Sequence, residues 1–122
     1  PIDTQTVLTR TDDFRKTIQI LDEWNGFDIL IFQLAYDLMG FDHKSSTEFN
    51  ISGHIVKMMI ESAKNFSKPT AIVLHYATLP EVYQTYCEER RLCLDSGIAT
   101  FSSMDNAAKA ISRYIEYYEK IT

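Results

Sequence analysis

The sequence predicts an α/β fold, a small parallel sheet with helices on both faces, and three observations carry that prediction. Apolar runs of strand length alternate with segments of helical period, the runs are too continuous for a sheet with a wet face, and each connection is long enough for a crossover helix. The elements follow in order. From Thr11 to Asn25 the apolar positions Phe14, Ile18, Leu21 and Trp24 fall three or four apart, Thr11 or Asp12 is placed to cap, and Asn25-Gly26 supplies the stop. Phe27 to Gln33 is a central parallel strand covered on both faces, and Tyr36 to Ser46, with Gly40 and no period, is a loop at its carboxyl end, where open α/β sheets place their ligand crevice. Ser46 or Thr47 caps a second helix with Ile51, Ile55, Met58, Met59, Ser62 and Phe66 inward and Glu48, Lys57, Glu61 and Lys64 outward.

The stretch from Lys68 to Ala110 is the clearest. Lys68-Pro69 bars helix continuation before the branched run Ala71-Ile72-Val73-Leu74, because proline lacks an N–H and biases its predecessor away from α. Pro80 opens a helix in its first turn, Val82, Tyr86, Cys93 and Leu94 fall near one face, and Gly97 supplies a left-handed stop. Ile98 to Phe101 is the next strand. Ser102 or Ser103 caps the last helix, with Asp105 near its positive end, and Ala107, Ile111, Tyr114, Ile115, Tyr118 and Ile121 form a stripe that docks by one face. The resulting fold is flavodoxin-like, and its small sheet exposes an edge unless another domain covers it.

At 122 residues the chain is one domain, residues 1–122, long enough to bury about two thirds of its unfolded surface. A net charge of −5 argues against a nucleic-acid partner, which needs clustered Lys and Arg. No apolar run approaches the roughly 20 residues of a membrane span, so a cytoplasmic location is expected. Cys87 and Cys93 match neither a metal knuckle nor a redox pair and read as two small buried hydrophobes. The opening residues Pro1-Ile2-Asp3-Thr4 read as the tail of something longer, although removal of an initiator Met also leaves Pro1.

Several segments together resemble the ligase-CoA domain of NDP-forming acyl-CoA synthetases, the superfamily of succinyl-CoA and ADP-forming acetyl-CoA synthetases. Pro1-Ile2-Asp3-Thr4 is similar to that family's Asn-Pro-hydrophobic-Asp entry, Gly26 to Ile31 to its Asp-plus-apolar strand, and Lys68 to Val73 to its Lys-Pro-Val strand. Leu94 to Phe101, followed by Met104 to Ala110, resembles its Gly-Ile-Pro strand and the alanine-rich helix after it. The chain departs at Ala99, where the family has proline, and at Tyr76-Ala77, where Gly-Gly often follows the strand.

The resemblance implies a subdomain of an enzyme that joins a carboxylic acid to coenzyme A at the expense of ATP or GTP, through an acyl phosphate and a phosphohistidine. It implies that coenzyme A and ATP with magnesium belong to the parent enzyme, that none is held by this domain alone, and that the isolated domain is inactive. Its implied partners are the CoA-binding, phosphohistidine and ATP-grasp units of the same synthetase. The family builds a phosphate cradle from two flavodoxin-like domains, and the positions matching it are Asp3, Thr4 and Thr6. The competing reading is that Asp3 and Thr4 satisfy a turn, because related subunits carry a glycine-rich stretch where this chain has Gln5-Thr6-Val7-Leu8.

Among the histidines, His43 lies in a polar loop, His54 borders the core, and His75 ends the strand that begins with Ala71-Ile72-Val73-Leu74, where α/β proteins place functional side chains. His75 is therefore the candidate nucleophile or phosphate ligand, against a hydrogen-bonded structural role. Glu88, Glu89, Arg90 and Arg91 read as a solvated face. The rivals are a stand-alone flavodoxin-like binding or regulatory module and the synthetase-like body of a protein acyltransferase. A receiver fails because Asp12-Asp13 comes too late and His75-Tyr76 stands where its phosphorylated Asp would be, and a flavin-binding flavodoxin lacks its phosphate loop.

Overall fold

The structure, a computed structural model, describes Ile2 and residues 10–37 and 51–122. Its elements are α1 (Thr11–Glu23), β1 (Leu30–Ala35), α2 (Ile51–Asn65), β2 (Thr70–His75), α3 (Pro80–Asp95), β3 (Ala99–Phe101) and α4 (Met104–Ile121). The three strands pair in parallel in the order β1-β2-β3, with Leu30 to Ala35 beside Thr70 to His75, and Ala71 to Val73 beside Ala99 to Phe101.

Strand side chains alternate between faces, and the core follows that alternation. Phe32, Leu34, Tyr36, Ile72 and Leu74 point to one side, where Ile55, Val56 and Met59 of α2 and Val82, Tyr86 and Cys93 of α3 meet them. Both crossovers lie on that face, as right-handed connections between strands laid down in sequential order require. α1 joins the same layer, with Phe14 buried 6.0 Å from the Phe32 ring. The opposite face presents Ala71 and Val73, both buried, and α4 packs there against β2 and β3. The open, three-layer α/β arrangement of a flavodoxin-like fold results.

Several local expectations are corrected. β1 begins at Leu30 rather than Phe27, because Phe27 is drawn off to stack on Phe66, 6.2 Å away, and against Trp24. It runs on to Ala35, and Tyr36 is a core residue, not the start of a loop. β2, not β1, is the central strand, and Gln33 on β1 is exposed. Trp24 and Leu94, assigned to helix core faces, are exposed, as is Cys87. α1 carries no side-chain cap at its N-terminus. The caps assigned to Ser46 or Thr47 lie outside the described residues.

The Lys-Pro motif has a structural use. α1 has no basic residue in its last turn, and its terminal carbonyls are met instead from 44 residues away by Lys68 Nζ, which donates to Asp22 O at 3.1 Å and Trp24 O at 2.7 Å. The same ammonium stands 4.5 Å over the Phe27 ring, while Asp22 accepts from the Ser67 N–H at 3.0 Å. Two residues before β2 thereby tie α1 to the sheet.

Gly97 ends α3 with φ +80°, its N–H donating to Leu94 O at 3.1 Å. A Cβ there would meet no atom within 4 Å, so the cost of a side chain is backbone strain alone. Gly97→Ala is expected to lower unfolding free energy by about 1 kcal/mol and Gly97→Asn by less, since Asn tolerates the left-handed region. Urea unfolding of the two variants checks the order.

Candidate functional site

The carboxyl ends of the strands gather several polar and aromatic groups. β1 ends into Tyr36 and Asp37, β2 into His75 and Tyr76, and β3 into Ser102 and Ser103, while α3 and α4 begin at the same end. Open α/β sheets bind ligands there, because the helix N-termini converge on it.

Asp37 clasps the turn before α3. Its carboxylate accepts from the Thr78 N–H at 2.9 Å, the Thr78 hydroxyl at 2.6 Å and the Leu79 N–H at 3.3 Å. Those bonds to Thr78 hold the Asp37 carboxyl below the ordinary carboxylate value. Leu79 offers no side-chain cap, so a carboxylate from β1's end takes that place at the positive end of α3. At α4 the cap is local: the Ser103 hydroxyl oxygen accepts from the Asn106 N–H at 3.1 Å, as the sequence predicts.

His75 sits on the α4 side of the sheet with its Nε2 2.9 Å from Gln33 Oε1 on β1. The ring is held by a neighbour one strand over, and its position at the strand's end agrees with expectation. Asp3, Thr4 and Thr6 lie outside the described residues, as does His43. His54 faces α1, its Nε2 3.3 Å from Thr11 Oγ1, and takes no part in the crevice.

Two groups escaped sequence reasoning. Tyr36, Tyr76, Tyr83 and Tyr86 form an edge-to-face cluster at this end, with Tyr36 and Tyr86 rings 5.4 Å apart and Tyr76 5.8 Å from Tyr86. The Tyr86 and Ser102 hydroxyls share a hydrogen bond of 3.1 Å, and the Tyr76 N–H donates to Ser102 O at 3.3 Å.

Beneath the tyrosines lies Glu89, assigned to a solvated face and in fact only 3% exposed. The Ser52 hydroxyl donates to Glu89 Oε1 and, at 3.0 Å, to Oε2. Burial raises the Glu89 carboxyl above its ordinary value, against the opposing pull of hydrogen bonding. Burial and the nearby carboxyl push the Cys93 thiol to about 11 and the Tyr36 hydroxyl upward as well. The Tyr36 hydroxyl has no hydrogen bond of good geometry among the described residues. A sequence signal did exist: Val82, Tyr86, Glu89 and Cys93 are spaced four, three and four, so Glu89 completes the inward stripe of α3.

Elsewhere a groove of about 260 Å³ runs along the α1–α2 seam, floored by Phe14, Ile18, Met58 and Phe66 and edged by the Arg15–Glu61 ion pair of 3.4 Å. No group of metal-ligating side chains occurs among the described residues, and no described helix is long and apolar enough to cross a membrane. Compared with models of known protein families, with curated proteins and with solved structures, the chain matches none.

Proposed function

We propose that this chain is a flavodoxin-like subdomain of an NDP-forming acyl-CoA synthetase, with an architectural and phosphate-positioning role and no turnover of its own. One observation carries the reading: apart from the Tyr36 hydroxyl, the polar groups named at the crevice are spent on one another. Asp37 is committed to Thr78 and Leu79, His75 to Gln33, Glu89 to Ser52 and Ser103 to α4. A nucleophile needs a base in reach and a third group to orient that base, and His75 meets an amide instead. What the arrangement supplies is a rigid platform with helix N-termini at one end, suited to support a phosphate delivered by a neighbouring domain. Coenzyme A, ATP with magnesium and the phosphohistidine then belong to the CoA-binding, phosphohistidine and ATP-grasp units of the parent, and Asp3, Thr4 and Thr6 are the positions that the resemblance matches to the cradle.

The test uses the native polypeptide isolated from its source, incubated with γ-labelled ATP, magnesium, coenzyme A and acetate or succinate. Acyl-CoA and an acid-labile phosphoenzyme are expected from the native polypeptide and neither from the 122-residue chain. A native polypeptide that forms neither product overturns the synthetase reading and favours a binding or regulatory module.

A further inference from the structure

We propose that the exposed half of α4 is a two-fold interface between two copies of this chain. α4 carries an apolar stripe on one side, yet within it only Ala107 is buried and Ile111 partly covered. Beyond that point the same face emerges uncovered: Tyr114 is 64% exposed and Ile121 59%, with Ile115, Tyr117 and Tyr118 also open. With side-chain areas of the usual size, these residues expose roughly 600 Å². That equals the largest apolar patches monomers show, and approaches the ~800 Å² each partner gives to a stable complex.

A second copy fits because the stripe is self-complementary. Ile111, Tyr114, Tyr118 and Ile121 are spaced three, four and three, the a/d spacing of a helix–helix seam. Two such helices laid antiparallel about Glu116 stack Ile111 on Ile121 of the second copy and Tyr114 on Tyr118 of the second copy, so each layer pairs like with like. The tyrosines are already gathered, with Tyr114 and Tyr118 rings 4.6 Å apart and Tyr117 and Tyr118 5.3 Å apart.

Charge permits the pairing although the chain carries −5 overall. The seam's immediate flanks, Ile115 and Tyr117, are uncharged, and α4's three acids (Asp105, Glu116, Glu119) and three bases (Lys109, Arg113, Lys120) cancel on the opposite side. Lys109 and Asp105 pair there at 2.8 Å. The apolar stripe of an acidic chain thus carries no charge of its own.

Light scattering and sedimentation of the wild type over the micromolar range are expected to give the two-chain mass, and Tyr118→Glu the one-chain mass with unchanged circular dichroism. Register is read in a Cys87→Ser background: on oxidation the double variant Ile111→Cys/Ile121→Cys links two chains, whereas Ile121→Cys alone does not. Within one helix those two positions are about 15 Å apart, too far for an internal disulfide. A one-chain wild type at every concentration, a dimer indifferent to Tyr118→Glu, or equal linking by Ile121→Cys alone each overturns the proposal. It stands apart from the synthetase reading, since none of these outcomes depends on acyl-CoA formation.

Discussion

Truncating Ile72 to alanine is expected to lower the unfolding free energy by about 4 kcal/mol, near the upper part of the range for buried aliphatic residues. Ile72 is fully buried on the central strand, where it meets α2 and α3 residues while its backbone pairs on both sides. The void left by three carbons has no means of collapse there, because helix and strand positions around it are held by hydrogen bonds from two directions. For a domain of this length such a loss displaces Tm by roughly 15 °C, about 4 °C per kcal/mol. Leu94→Ala supplies the contrast. That side chain, apolar by composition but 45% exposed on α3, is expected to cost about 0.5 kcal/mol. Differential scanning calorimetry of both variants in dilute solution decides the matter, and equal shifts would mean that the core lies elsewhere.

That contrast also marks how far the fold was legible. β2, α3 and α4 were readable because local chemistry announces them: Pro69 and Pro80, the branched run 71–74, Gly97 and the Ser103 cap all act within a few residues. β1 was misplaced by three residues because its start depends on Phe27 finding Phe66, a contact 39 positions away that no window contains. The candidate site divides in the same way. His75 at a strand's end follows from element order, but the Asp37 clasp on Thr78 requires two turns to be brought together by the sheet register. Trp24 and Leu94 misled because the period of a helix reports which residues share a face, not how far the neighbouring layer extends over it.

Glu89→Gln is expected to abolish the chain's loss of stability as pH rises above the ordinary carboxyl value. Burial raises the Glu89 carboxyl, so the folded protein keeps this proton at pH values where the unfolded chain, ionising near 4.5, has lost it. Over that window the unfolded state binds fewer protons, and stability falls as pH rises from about 4.5 to the folded value. Asp22 and Asp37, both held below their ordinary value by Ser67 and Thr78, act oppositely: their contribution is present above 3.8 and lost as pH drops. The wild type therefore weakens in both directions, and only the acid side survives in Glu89→Gln, whose neutral amide still accepts from Ser52. Near pH 4 the two proteins are expected to differ little; toward neutrality the variant becomes the more stable.

Ser52→Ala tests the same site from the other partner. Removing the donor costs about 1–3 kcal/mol by leaving a buried carboxyl unsatisfied. It also takes away a bond that favours the ionised form, so the decline with rising pH extends to higher pH than in the wild type. Urea midpoints collected from acid to neutral pH separate the three proteins. If wild type and Glu89→Gln run parallel throughout, the folded chain does not hold the Glu89 proton above the ordinary carboxyl value, and the raised carboxyl argued from its burial is wrong.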